Sequence, residues 1–193
     1  FMRKRERQSM RGITNRTISG CPRRRGRDWN EKRNNNMIAR KANEEDAARI
    51  AEIERAVFSD AWSEDAVRET MCQKTAEIYV AEDRKTIVGY IVIYTVLDES
   101  EVVRIAVDAG FRERGTGGFL LDTVISEGAL KGTAVWHLEV RKSNMAARAL
   151  YQKKGFRDVG IRKGFYDNPK EDAVLMTRSL ETVSGVQEER DRL

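Results

Sequence analysis

Cysteine, histidine and proline are all scarce: 193 residues hold two cysteines, one histidine and two prolines. Cys21 and Cys72 stand in unlike surroundings, so no disulfide framework is expected, and with His137 they cannot assemble a zinc site of the usual spacing. No run of about eighteen apolar residues exists and no apolar stretch follows the basic start, so neither a membrane span nor a secretory signal is expected. A cytoplasmic protein without a membrane partner follows as the expectation. Internal repeats and low-complexity domains are absent as well. What the chain has is charge, 35% of its residues against 40% hydrophobic, enough for one core and too short for two.

The net charge of +5 is unevenly placed. Residues 1–36 carry 12 Lys/Arg and 3 Asp/Glu of the chain's 36 and 31, which leaves 24 and 28, a balance of −4, for residues 37–193. The segment with Arg23-Arg24-Arg25 and Asn34-Asn35-Asn36 has almost no apolar periodicity and cannot offset the entropy of folding, so it reads as disordered.

The most informative stretch is Arg112-Glu113-Arg114-Gly115-Thr116-Gly117-Gly118, set between a β-branched run, Val102 to Val107, and an amphipathic run from Phe119. It reads as strand, basic turn and helix N-terminus, a cradle whose successive N–H groups and helix dipole suit a diphosphate. Two commoner phosphate motifs fail. Thr116 and Gly117 stand where a P-loop needs Lys and Ser/Thr, and Leu120 occupies the third glycine position of a dinucleotide fingerprint.

A second unit follows. Ala134 to Val140 reads as a strand, Ser143 or Asn144 opens a helix with Ala146, Ala147, Leu150 and Tyr151 on one face, Lys153 and Lys154 complement its C-terminal dipole, and Gly155 stops it. The combination of Arg-x-x-Gly-x-Gly with Leu138-Glu139-Val140-Arg141-Lys142-Ser143-Asn144 and Ala149-Leu150-Tyr151-Gln152-Lys153-Lys154-Gly155-Phe156 resembles the GNAT acetyltransferases. More narrowly it is similar to the RimI family of ribosomal-protein alanine N-acetyltransferases, which Arg162-Lys163-Gly164-Phe165-Tyr166, Pro169 to Ala173, and Phe58 with Trp62-Ser63 also match. The likeness runs from Met37 to Leu180. Ala61, where a proline is usual, and Gly118, where a longer side chain is common, are its visible departures.

The resemblance implies an α/β GNAT fold, a mixed central β-sheet with splayed parallel strands flanked by helices, and acetyl-CoA lying in the gap with no metal required. It implies that backbone groups of Ile105, Ala106 and Val107 pair with the pantetheine arm. The pyrophosphate falls to the amides of Glu113, Arg114, Gly115, Thr116, Gly117 and Gly118, and Asn144 anchors the arm near the thioester. Residue by residue, Glu139 matches the general base, acting through water, and Tyr151 the general acid that protonates the departing thiolate, with an oxyanion donor near Val107. The bland alternatives are a carboxylate at a strand end paired with Arg141 or Lys142, and a helix tyrosine with its ring in the core. His137, two residues before Glu139 and on the same strand face, could also act as base, although a structural histidine is the expected role.

The implied acceptor is the N-terminal alanine of a small-subunit ribosomal protein, a basic partner that Asp98, Glu99 and Glu101 could contact. An α-amine, with a pKa near 7.7–8.0 against about 10.4 for lysine, is the easier nucleophile to deprotonate. A GNAT acting on a small-molecule amine or protein lysine is the alternative, and a non-catalytic RNA-associated module a third. The basic residues 1–36 then have two readings: an arm in weak contact with ribosomal RNA, or a non-native start, since the chain opens on Phe1 and Met37-Ile38-Ala39-Arg40-Lys41-Ala42 is how a RimI-like protein begins. The second reading is preferred. Residues 37–180 form the expected catalytic domain and 181–193 a flexible tail.

Within that domain, Asn43 followed by three acidic residues marks a helix with Ile50, Ile53 and Val57 buried, and Ser63-Glu64-Asp65 marks a shorter one. Ile78 to Ala81 and Ile87 to Thr95 read as antiparallel strands around Asp83-Arg84-Lys85, and Phe156 to Ile161 and Ala173 to Thr177 complete the sheet.

Overall fold

A computed structural model describes residues 37–180. The expectations for the basic extension 1–36 and for the tail 181–193 lie outside the described residues. Eleven regular elements follow in order: β1 (Met37–Lys41), α1 (Ala47–Val57), α2 (Glu64–Met71), β2 (Ala76–Asp83), β3 (Thr86–Val96), β4 (Glu99–Val107), α3 (Thr116–Leu130), β5 (Val135–Arg141), α4 (Met145–Lys153), β6 (Arg157–Asp167) and β7 (Lys170–Ser179).

Local sequence accounts for most boundaries. Asn43 and Asp46 form a reciprocal capping box that leads through a 3₁₀ turn into α1, and the Ser63 hydroxyl accepts the Ala66 N–H at 3.1 Å to start α2. Arg84 and Lys85 both have positive φ, the geometry of a two-residue hairpin, and turn β2 into β3. Helix α3 begins at Thr116, three residues before the apolar run, because Gly115 at φ 88° turns the loop sharply into it. Gly155, also left-handed, ends α4, so β6 starts after Phe156 rather than on it. Strand β1 has no legible signal in the sequence: its five residues are only partly buried and carry little alternation.

The seven strands make one sheet in the order β1-β2-β3-β4-β5-β7-β6. Every neighbouring pair is antiparallel except β4 with β5, which run parallel. That parallel ladder is short, joining Glu99–Val102 to Val135–Leu138. Beyond it the two strands part, and the rest of β4, through Val107, faces a gap.

Each face of the sheet has its own apolar layer. On one side α3 places Leu120, Leu121, Val124 and Ile125 against Trp136, Leu138 and Val140 of β5, with Tyr151 and Phe156 closing the layer. On the other, Ile50, Ile53 and Val67 of α1 and α2 cover Ile78, Val80, Tyr90, Val92 and Ala106. Strand β6 is exposed along nearly its whole length, so the α1–α2 side leaves the β5-β7-β6 half of its face open. In α4 the expected apolar face is only partly covered: Tyr151 is buried, Ala147 and Leu150 are half-buried, and Ala146 is exposed.

Candidate active site

The parting of β4 and β5 makes the site. Amide directions alternate along a strand, and the Asp108 N–H bonds the Val88 carbonyl on β3 at 2.8 Å. Ile105 and Val107 therefore turn their backbone groups away from β3 and toward the gap. Ala106, expected alongside them, turns its own to Tyr90 of β3. The Val107 carbonyl is taken by Arg112 Nε at 3.1 Å, which fastens the loop to the strand end and leaves the Val107 N–H in the gap.

Past the strand end, the first backbone bond of α3 runs from the Phe119 N–H to the Gly115 carbonyl at 2.9 Å. The amides of Glu113, Arg114, Gly115, Thr116, Gly117 and Gly118 have no partner among the described residues, a row of donors at the positive end of a fifteen-residue helix. A Cβ on Gly115 would meet no atom within 4 Å, so the loop is open where an anion would approach, and its φ of 88° is one that only glycine adopts freely. Arg114 stacks over Phe111 at 5.1 Å and keeps a guanidinium beside the row. These residues fit a diphosphate.

A cleft of about 580 Å³ continues from the gap, lined by Glu139, Asn144 and Tyr151 together with Phe58, Trp62, Arg104, Ile105 and Tyr166. The residues expected to carry chemistry thus share one cavity although they come from β5, α4 and the helix cap between them. Asn144 caps α4 through its side-chain oxygen, which accepts the Ala147 N–H at 3.1 Å. Burial pushes the Tyr151 phenol well above its ordinary value, with the neighbouring Tyr166 adding to the shift, so it stays protonated at neutral pH. No described residue hydrogen-bonds to its hydroxyl.

Glu139 does not pair with Arg141 or Lys142; its partner is Arg162 of β6, Nη1 to Oε1 at 3.1 Å. The Arg162 side chain is 60% exposed, so the pair is weak and open to displacement. Arg141 instead donates to the carbonyls of Asn168 and Pro169 at 2.9 Å and stacks over Tyr166 at 4.2 Å. His137 shares the strand face of Glu139, as expected, but lies in a second depression of about 500 Å³ and is held by the Thr177 hydroxyl at 3.1 Å and Glu99 at 3.5 Å. Of the acidic trio, Glu101 reaches both cavities, Glu99 the second only, and Asp98 neither.

Sequence reasoning missed the wall facing Glu139. Glu54, Tyr90 and Arg104 meet there, and Glu54 is fully buried. A signal was present: Glu54 follows Ile53 and lies four residues after Ile50 on the apolar stripe of α1, where a carboxylate needs a buried partner.

The acetyltransferase (GNAT) family matches residues 47–156. This chain belongs to the GNAT acetyltransferases. The ribosomal protein bS18-alanine N-acetyltransferase of Haemophilus ducreyi is 33% identical to it over 140 residues, covering 71% of this chain and 96% of that protein. The same enzyme of Salmonella typhimurium is 36% identical over 132 residues, 65% of this chain and 85% of the relative. The crystal structure of the ribosomal-protein-S18-alanine N-acetyltransferase from Escherichia coli superposes with a TM-score of 0.73 at 27% identity, covering 79% of this chain and 99% of that one. The narrower likeness to the RimI family is borne out by these relatives, and the mixed, splayed sheet is the GNAT fold. No described helix is long and apolar enough to cross a membrane.

Proposed function

We propose that this GNAT protein transfers the acetyl group of acetyl-CoA to the N-terminal α-amine of a small-subunit ribosomal protein that begins with alanine. One observation carries the reading: a carboxylate and a protonated phenol, Glu139 and Tyr151, line a single cleft that opens from the gap between β4 and β5. The likeness to bS18-alanine N-acetyltransferases over nearly their whole length supports the choice of acceptor.

In this reading the donor lies along the gap as an added strand, paired with the backbone of Ile105 and Val107. Its diphosphate rests on the free amides from Glu113 to Gly118. Glu139 takes the proton of the incoming ammonium through water, and the cationic acceptor displaces Arg162 as it arrives. The neutral amine attacks the thioester carbonyl, the Val107 N–H steadies the oxyanion, and Tyr151 protonates the leaving thiolate. As the thiolate leaves, the acylated nitrogen gives up its second proton to solvent and solvent returns one to the Tyr151 phenolate, so the one net proton released is the one Glu139 took.

Intact-mass spectrometry of a hexapeptide beginning Ala-Arg-Tyr, incubated with acetyl-CoA and the protein, tests the proposal. One acetyl group on the α-amine, lost in Glu139→Gln and Tyr151→Phe, is the expected result. Acetyl-CoA binding without peptide acetylation would shift the assignment to a small amine or a lysine side chain, and no binding at all would end the enzymatic reading.

A further inference from the structure

The proposed chemistry makes no use of Arg104, a largely enclosed cation in the wall of the cleft with 12% of its side chain exposed. Its Nη1 donates to Glu54 Oε2 at 3.0 Å, and its Nη2 donates to both the carbonyl and the carboxylate of Asp60, at 3.1 and 3.0 Å. The guanidinium stacks at 4.7 Å over Phe58 and at 4.8 Å over Trp62. Glu54 in turn accepts the Trp62 N–H at 3.0 Å and the Tyr90 hydroxyl. Phe58, Asp60 and Trp62, alternate residues of the segment between α1 and α2, are therefore all tied to one guanidinium or to its carboxylate partner. At the cleft mouth the same segment reaches the opposite lip, where the Ser59 hydroxyl donates to the Asn168 carbonyl at 3.2 Å.

We propose that Arg104 is a positioning residue that holds residues 58–62 as the fixed lip of the acceptor site, and so sets how tightly the substrate N-terminus is bound. The inference rests on reading this cleft as the acceptor site. A buried ion pair is a poor source of stability, because well-packed apolar side chains do as well, so its value here lies in geometry. Both terminal nitrogens are committed to the lip and its helix, and the planar group packs against two aromatic rings at once, which a lysine cannot do. Ala61 is the one residue of the segment with none of these ties and no hydrogen bond from its N–H to a described residue. Nothing within the segment restricts its backbone as a proline would, and the restraint comes from β4 beneath it.

The test replaces both charges at once, because removing Arg104 alone would strand the buried Glu54 and could unfold the protein. In Glu54→Gln/Arg104→Met, the peptide KM should rise about tenfold while kcat and the acetyl-CoA KM stay within about twofold, the pattern of lost acceptor binding with intact chemistry. Amide hydrogen exchange at Trp62 should accelerate. Adding Ala61→Pro to that variant should recover at least about threefold in peptide KM, because a stiff segment no longer needs the clamp. An unchanged peptide KM, a fall in kcat alone, or no response to the proline would overturn the assignment. If the wild type acetylates no peptide, the reading of the cleft fails separately, and equal Trp62 exchange in wild type and variant then overturns the clamp by itself.

Discussion

The tyrosine at the cleft floor has the properties its proposed role requires. Burial penalises the phenolate of Tyr151, so its pKa lies above the ordinary value of about 10 and the hydroxyl is still a donor at the pH where an α-amine becomes neutral. Activity should then rise with pH toward about 8 as the acceptor deprotonates, with no loss from Tyr151 below about 10. Tyr151→Phe should lower kcat by about 10²–10³-fold and leave the acetyl-CoA KM nearly unchanged, as steady-state rates across pH 6–10 would show. A kcat within about threefold of the wild type would remove Tyr151 from the reaction. Glu139→Gln should cost a similar factor at about pH 6–7 and recover part of it above about pH 8, where the acceptor amine arrives already neutral.

At the scale of elements, β4 is the piece on which the site depends, and its position is fixed from behind by β3. Gly89 of β3 lies opposite Val107; a Cβ there would sit 2.8 Å from the Ala106 carbonyl oxygen and 3.4 Å from the Val107 Cα. Both are backbone atoms and cannot swing aside. Gly89→Ala should push the end of β4 into the gap, raising the acetyl-CoA KM and lowering stability by about 1–3 kcal/mol, measured by saturation kinetics and thermal unfolding. A Tm and KM equal to the wild type would show that the strand end has slack. Such dependence also explains what could be read beforehand. The loop, α3, β5 and α4 carry their own punctuation in Gly115, Asn144 and Gly155, and the conjunction of Glu139 with Tyr151 follows from strand-then-helix order. The Arg104–Glu54–Tyr90 cluster joins β4, α1 and β3 across fourteen to fifty residues of chain, and no local pattern records which carboxylate a strand arginine will meet. Likewise Arg162 reaches Glu139 only because β7 lies between β5 and β6 in the sheet.

For the whole molecule, ionisable groups on both sides of the sheet bound the pH range over which the fold holds. Arg40 of β1 donates to both oxygens of Asp46 at 2.6 and 2.9 Å, and this pairing holds the Asp46 carboxyl below the usual range against the opposing effect of burial. Arg49 of α1 does the same for Asp108 at the end of β4, at 2.5 Å. A carboxylate whose folded pKa is depressed stabilises the fold above its unfolded pKa, about 3.9, and that contribution is lost as pH falls through the folded value. Burial raises the phenols of Tyr90 and Tyr151, so their contribution is complete below about pH 10 and is lost as pH rises through their folded values. Stability should therefore be flat from about pH 5 to 9 as far as these four groups are concerned, and fall at both ends. Asp46→Asn isolates one limb: it should cost about 1 kcal/mol at pH 7, below the usual ~1.5–3 kcal/mol for a bond to a charged group because Arg40 is partly in water, and almost nothing at pH 2. Thermal unfolding of wild type and variant at the two pH values measures the difference. A gap in Tm that stays the same at both would mean that Asp46 acts through its capping bond to the Asn43 N–H, 2.8 Å away, rather than through its charge.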